Sequence, residues 1–512
     1  MKISIPEGHK PYTPLYDSSR YQPLYSRSEP FEHFDPAIEE YDVIFIGGGP
    51  AGRFGASYLH SAGMKVLTIE KDDHLGGKCP KNACVPHHVF FDCAVELDLA
   101  RWMEGKLWFP PMQGKKVDIR PIMKLFQKGH EPVFDFMFHQ SRNQIGLNFF
   151  LNTKAEIIDA RTVKVGKRIF RTKNLVIATG SGPSPLGVAG ENLPGVFNYT
   201  NFQSIDYEPK EIVVIGASKV GAPYSSFFNA CGMKTTLVEA TSFFPALDED
   251  ISDYIVHGMR LRGMGLYERS KLVSIEGDKR VNSVVVETPE GKIRIPCDTV
   301  FMATGQKPAS GVADSLGLEM TKDGAIVVNS RMQTSIPGVY AAGDVTGPPM
   351  EMWKARMAGM TAAKNILGET SELSIDSYPD FMHTTYEISW YGLTEKQARE
   401  KYGAVTVLKM PIDNYDHPLP LPLAERSVLF GHAFPELSGL QKAIFDSKSR
   451  RMVGVWHVGY GAKDGFQYLA KLIDNGLTID ELANLKELFL NPTHFIQLSR
   501  LVAGRKQLGD LK

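Results

Sequence analysis

Cysteine is scarce in this 512-residue chain: Cys79, Cys84, Cys93, Cys231 and Cys297 are its five. They are too few and too scattered for the disulfide framework of a small secreted domain. Net charge is almost absent, with 57 lysines and arginines against 58 acids. No global field therefore draws the chain to nucleic acid or to a membrane. No apolar run approaches the ~20 residues that span a bilayer, and Met1–Tyr25 lacks the apolar stretch of a signal peptide. The expectation is a cytoplasmic protein without nucleic-acid or membrane partners. What is present is ordinary: 43% apolar and 22% charged residues. The length exceeds what one hydrophobic core usually serves, so about two to four domains are expected.

Residues 1–40 are rich in Pro, Tyr, Ser and Glu without periodicity, and predict an N-terminal arm on the surface. At Tyr41 the pattern changes. A short apolar strand, Asp42 to Ile46, runs into Gly47-Gly48-Gly49-Pro50-Ala51-Gly52. The glycines Gly47, Gly49 and Gly52 fit G-x-G-x-x-G. An amphipathic helix follows, then a strand from Lys65 that ends at Glu70. This is the βαβ fingerprint of a dinucleotide site, in which the glycines admit a pyrophosphate and the acid takes a ribose hydroxyl. Arg53, directly after Gly52, is a cation at a helix start, mildly misplaced against the dipole.

A second unit begins at Ile212, in Ile215-Gly216-Ala217-Ser218-Lys219-Val220-Gly221. It is degenerate, because Ser218 stands where the middle glycine would. Its second strand ends at Glu239, an acid that accepts the 2′-hydroxyl of NADH and repels the 2′-phosphate of NADPH. The strands ending at Gly180 and Gly305 echo each other as Ala-Thr-Gly, as crossings into and out of an inserted domain would. A strand at Val339–Val345 and a helix over 350–367 come next. From Tyr378 the pattern turns α+β, with strands near 383–391, 405–410 and 441–447 and helices near 463–475 and 478–486.

Between the two units lies Cys79-Pro80-Lys81-Asn82-Ala83-Cys84. On an ideal helix residues five apart sit roughly 8–9 Å apart, and a disulfide wants Cα atoms within about 7 Å. If Cys79 and Cys84 pair, the backbone there must be a distorted turn entering a helix, which Pro80 favours. A strained pair beside a cofactor site indicates redox chemistry rather than scaffolding. Cys93, Cys231 and Cys297 read as inert buried thiols. His87 and His88 have no metal-ligand partner at useful spacing, so no metal site is expected.

Taken in order, the two nucleotide units, the CxxxxC pair and the strand Ala341-Ala342-Gly343-Asp344 resemble the flavoprotein disulfide reductases. These are the class I pyridine nucleotide-disulfide oxidoreductases, among them glutathione reductase, dihydrolipoamide dehydrogenase and mercuric reductase. The resemblance runs from Tyr41 to about Gly504. It implies an α/β fold with two Rossmann-like dinucleotide-binding domains, for FAD (41–190 and 305–375) and NAD(P) (191–304). A C-terminal α+β dimerisation domain (376–512) would follow, and hence a homodimer. FAD would be held by Gly47, Gly49, Gly52, Glu70, Lys71, Gly180 and Asp344, the last on the ribityl chain. NADH or NADPH would be held by Gly216, Gly221, Glu239 and Gly305. Cys79 matches the interchange thiol that meets substrate and Cys84 the thiol that faces the flavin.

Departures from the family pattern narrow the resemblance. The usual His-Pro-Thr-x-x-Glu end, whose His–Glu dyad moves protons for the interchange thiol, here reads Asn491-Pro492-Thr493-His494-Phe495-Ile496. His88 replaces a Lys, and Gln306 an Arg. Phe489, His494, Arg53, Met352 and Arg356, with the runs Leu488–Arg500 and His457–Asp464, resemble the branch that reductively cleaves 2-oxopropyl-coenzyme M and carboxylates the released enolate. That resemblance implies Cys79, Cys84, His494 and Phe489 as catalytic residues and Arg53, Arg356 and Met352 as substrate-binding ones. The small-molecule partners would be a coenzyme M thioether and CO2. Two points differ from the branch: Lys81 stands where it has His, and Glu239 favours NADH where it uses NADPH. The alternatives are a related reductase that protonates the carbanion or reduces another disulfide or a metal substrate, and a non-catalytic redox-sensing flavoprotein.

Overall fold

The computed structural model describes residues 22–104, 116–410, 439–459, 461–486 and 494–505. They form two compact units. One comprises the chain up to Lys81 with Leu125–Gly180 and Pro308–Leu373; the other comprises Asn82–Lys124, Ser181–Lys307 and the chain from Ser374 on.

The first unit is built on a sheet in the order Phe31–His33, Asn148–Leu151, Val66–Ile69, Glu40–Ile46, Arg168–Ile177, Thr162–Val165, Ala155–Asp159, with Val339–Ala341 beside the end of Arg168–Ile177. Its centre is parallel, Ile46 standing opposite both Ile69 and Ile177. Val43, Ile44 and Phe45 are wholly buried, because a parallel strand covered on both faces carries a continuous apolar run rather than an alternating one. The helix Pro50–Ser61 lies against the helix Met352–Ile366 through small residues. A Cβ on Gly359 would come within 2.0 Å of the Ala51 carbonyl, and one on Gly55 within 2.8 Å of the Gly359 carbonyl.

The described part of the expected irregular arm is instead built into this unit. Phe31–His33 pairs antiparallel with residues 149–151, and Tyr25 stacks on Phe138 with ring centroids 4.2 Å apart. A strand this short offers no period to detect in sequence.

In the second unit a parallel sheet runs Gly265–Tyr267, Lys234–Val238, Glu211–Ile215, Thr299–Met302, Val196–Asn198. An antiparallel sheet follows later in the chain, in the order Asp380–His383, Glu387–Gly392, Met452–Val458, Leu440–Asp446, Val405–Met410. The single strand expected near 383–391 is thus two, joined by a tight turn at Thr384–Tyr386. The strand Met452–Val458 has no clear sequence signature, because Gly454 interrupts its apolar pattern. That glycine is there because a Cβ would sit 2.2 Å from the Leu393 carbonyl, the close backbone approach that glycine in a strand often marks. Lys442, 2% exposed, joins this sheet to two helices, Glu249–Leu261 and Glu395–Tyr402. Its ammonium lies 2.7 Å from Glu395, 3.1 Å from Asp250 and 3.1 Å from Asp248. Burial alone would lower its pKa, but these carboxylates hold it above the ordinary value.

Candidate active site

In the first unit the turn after Glu40–Ile46 is a cradle that only glycine permits. Gly47 has φ +109°, and a Cβ there would meet the Ala178 carbonyl at 2.3 Å. A Cβ on Gly52 would meet the Gly47 carbonyl at 1.9 Å. At Gly49, by contrast, a Cβ would find only Gly77 Cα at 3.8 Å, so the backbone at the N-cap of Pro50–Ser61 lies open to a phosphate. Glu70, 5% exposed, accepts the Gly48 amide at 2.6 Å and the Asp72 amide at 2.9 Å. Burial raises its pKa against these hydrogen bonds. Lys71 beside it is exposed. These residues fit a dinucleotide. Gly180, at φ +72°, turns the chain after Arg168–Ile177, and its carbonyl accepts the Ala309 amide at 2.9 Å.

The second unit repeats the arrangement despite its degenerate motif. Gly216 has φ +100° with the Ala303 carbonyl 2.5 Å from a Cβ, and a Cβ on Gly221 would lie 1.8 Å from the Gly216 carbonyl. Glu239 accepts the Ala217 amide at 2.8 Å, as Glu70 does in the first unit. It also accepts the amide and hydroxyl of Thr241, each at 2.9 Å. Where the middle glycine is missing, Ser218 Oγ accepts the Val220 and Gly221 amides at 3.2 and 3.3 Å. Gly305, at φ +98°, lies at the end of the strand Thr299–Met302, its carbonyl accepting the Ser184 amide at 3.0 Å.

The redox stretch has the broken backbone that a pair five residues apart requires. A short helix, Lys78–Asn82, stops at Ala83 (φ −123°, ψ −100°), and the helix Cys84–Trp102 starts afresh. Both cysteines are partly exposed. Within the first unit Cys79 Sγ lies 4.0 Å from Met352 Sδ. One turn along that helix Arg356 lays its guanidinium over the Phe54 ring at 4.9 Å. Arg53 donates to Ser141 Oγ at 3.1 Å and to Gln140 Oε1. Burial, and secondly the positive charge of Arg356, lower the Arg53 pKa. Met352 is thus brought to Cys79, and Arg53 into electrostatic reach of Arg356. Among the described residues neither guanidinium has a carboxylate partner.

Several residues at this site carried no signal in sequence. His74, wholly buried, stacks on Phe134 at 4.0 Å, and its Nδ1 lies 2.7 Å from Asp73. That carboxylate also pairs with Lys81, between the cysteines, at 3.3 Å. Lys78 pairs with Asp344 at 2.7 Å. Lys354 is a buried lysine whose Nζ donates to the Gly347 carbonyl at 2.6 Å. The pairing of Lys78 with Asp344 becomes visible only when distant chain segments are brought together.

In the second unit His87, His88 and His383 cluster, with the His88 and His383 rings 4.9 Å apart. Burial pushes His87 down to about 4 and His383 to about 3. Cys231 and Cys297 are buried, each thiol pushed up to about 12 chiefly by burial, whereas Cys93 is only half-buried. Phe489 and Asn491 lie outside the described residues. His494 opens the helix His494–Val502. Ile496, at the usual place of the dyad's acid, is 7% exposed in an apolar cluster with Phe466, Leu482 and Val502. Among the described residues no group of three or more His, Cys, Asp or Glu side chains is placed to hold a metal ion. None of the described helices is long and apolar enough to cross a membrane.

Residues 41–359 match the family model described as pyridine nucleotide-disulphide oxidoreductase, and residues 378–499 match its dimerisation domain. The chain belongs to the pyridine nucleotide-disulphide oxidoreductases. Leghemoglobin reductase of Glycine max is 27% identical over 436 residues, covering 82% of this chain and 80% of that protein. Mercuric reductase of Staphylococcus aureus is 26% identical over 497 residues, 94% of this chain and 86% of that one. The HOCl-induced flavoprotein disulfide reductase RclA of Escherichia coli, solved as a Cu(II) complex, superposes with a TM-score of 0.77 at 23% identity. That match covers 91% of this chain and all of that one and establishes the fold. The chain therefore has two Rossmann-like dinucleotide-binding domains and a C-terminal dimerisation domain. It is an FAD-dependent oxidoreductase of this family that uses NAD(P)H, and its dimerisation domain supports a homodimer.

Proposed function

We propose that this oxidoreductase cleaves the thioether of 2-oxopropyl-coenzyme M with its cysteine pair and carboxylates the released enolate to acetoacetate. The observation that carries this reading is the placement of two guanidiniums without a carboxylate partner among the described residues: Arg356 on the helix that begins at Met352, the residue Cys79 touches, and Arg53 on the helix Pro50–Ser61 packed against it. Such a pair suits a sulfonate, which takes charge-assisted hydrogen bonds from guanidinium. The domain limits 41–190 with 305–375 for FAD, 191–304 for NAD(P) and 376–512 for dimerisation are part of the same proposal, as is a cytoplasmic location.

Bound FAD supplies the two-electron relay from NAD(P)H to the cysteine pair. The remaining chemistry falls to the chain's own residues. Cys79 thiolate attacks the thioether sulfur, the carbon–sulfur bond breaks with its electron pair leaving as the acetone enolate, and coenzyme M remains as a mixed disulfide. Cys84 thiolate then displaces coenzyme M thiolate and restores the disulfide. The enolate takes either a proton, giving acetone, or CO2, giving acetoacetate. An acid within reach would transfer its proton quickly. Here the usual dyad is replaced: Asn491 and Ile496 stand at its positions, Phe489 adds an apolar ring, and Ile496 is packed in an apolar core. His494 is the proposed stabiliser of the enolate oxygen.

With 2-oxopropyl-coenzyme M as substrate, Phe489→His is expected to move product from acetoacetate toward acetone. An unchanged ratio would remove Phe489 from the mechanism. The coenzyme is proposed to be NADH, because the Glu239 carboxylate, held by Ala217 and Thr241, would repel a 2′-phosphate. A higher kcat/KM with NADPH would overturn that choice.

A further inference from the structure

We propose that Lys78 is a positioning residue of the flavin site, fastening the redox-cysteine turn to the cofactor-binding acid Asp344. The proposal rests on Asp344 as the acid that meets the flavin's ribityl chain, and not on which substrate the enzyme reduces.

Lys78 opens the short helix Lys78–Asn82, one residue before Cys79. Its Nζ stands 2.7 Å from Asp344 Oδ2. Asp344 itself is 8% exposed and begins the tight turn Asp344–Thr346 just after Gly343, at φ +84°. A carboxylate so far removed from water needs a charged partner. Lys354, another cation nearby, is engaged elsewhere: its Nζ donates to the carbonyls of Gly347 at 2.6 Å and Pro348 at 3.4 Å. The charge of Asp344 reaches Lys354 through space, working against the lowering by burial.

The residue after Lys78 makes a second attachment. Cys79 Sγ touches Met352 Sδ, and Met352 begins the helix that follows the Asp344 turn. The redox turn is therefore fastened to the segment from Asp344 to Met352 at two points, an ion pair and a sulfur contact. Removing the ammonium would take from a nearly buried carboxylate the positive charge 2.7 Å away. The Asp344 turn would then shift, and cofactor retention would weaken.

The test measures FAD dissociation from purified holoprotein, without substrate, for Lys78→Met, Lys78→Arg, Asp344→Asn and the double variant Lys78→Met/Asp344→Asn. Lys78→Met is expected to raise the Kd for FAD about tenfold or more, as for loss of a charged hydrogen bond. Lys78→Arg should restore most of the affinity. In the Asp344→Asn background Lys78→Met should add little, because the two act as one unit. Melting temperatures of the FAD-stripped forms separate this from a general loss of stability. An unchanged or tighter FAD Kd in Lys78→Met overturns the proposal, as does a full additional loss in the double variant. Failure to cleave a coenzyme M thioether would leave all these outcomes untouched.

Discussion

At the scale of single residues, Arg53 shows how an ill-placed charge becomes informative. A cation in the first turn of a helix opposes the dipole, and Arg53 follows Gly49 and Pro50 there, its amide bonded to the Gly49 carbonyl at 2.8 Å. Its guanidinium is half-buried and bonded to neutral side chains, and burial, then the charge of Arg356, disfavours its own charge. An anion beside it relieves that penalty. Arg53→Gln is therefore expected to raise KM for 2-oxopropyl-coenzyme M by about tenfold to a hundredfold while leaving kcat nearly unchanged. A thioether without the sulfonate should lose nothing further in the variant. Equal losses for both substrates would detach Arg53 from sulfonate binding.

At the scale of elements, the helix Cys84–Trp102 meets the hairpin Asp380–Gly392 through histidines. Phe91 stacks on His383 at 4.1 Å, and His88 meets it edge-on. The charged groups facing His383 are His88, Lys463 and His87, with Lys463 paired to Glu387. His383 titrates in the folded chain at about 3 and His87 at about 4, against about 6.5 unfolded. Both folded values lie below the unfolded one, so the unfolded chain binds protons first as pH falls. Stability is full above pH 6.5 and declines below it, by about 1.4 kcal/mol per pH unit for each histidine titrating only when unfolded. Urea midpoints at pH 7 and pH 5 should show this decline. His383→Phe, which keeps the stack on Phe91, should flatten it. An equal slope in the variant would mean that other groups set the acid limb.

The same elements show what the sequence made legible. Strands such as Glu40–Ile46 and Glu211–Ile215 were readable because burial on both faces leaves an unbroken apolar run ending in glycine. Gly216 and Gly221 remain glycine although Ser218 spoils the motif, since the first and third positions are those where a Cβ meets backbone. Met452–Val458 and Phe31–His33 were not legible: one carries a glycine demanded by a neighbouring backbone, the other is too short for any period. The break in the helix at Ala83 was foreseeable from the cysteine spacing, as the backbone a bonded pair would need. Lys78 on Asp344 was not, because an ion pair across a long stretch of chain leaves no local pattern.

At the scale of the whole molecule, the fold is that of a reductase family and supplies FAD, NAD(P)H and a cysteine pair. In the proposed reaction the fate of the carbanion would be decided by what the chain omits, the family's proton-delivering dyad, at positions 491 and 496. The most direct measurement incubates the enzyme with 2-oxopropyl-coenzyme M, NADH and 13C-bicarbonate and follows the products by NMR. The account predicts acetoacetate labelled at its carboxyl carbon, with acetone a minor product. Unlabelled acetone as the sole product, with coenzyme M released, would contradict it.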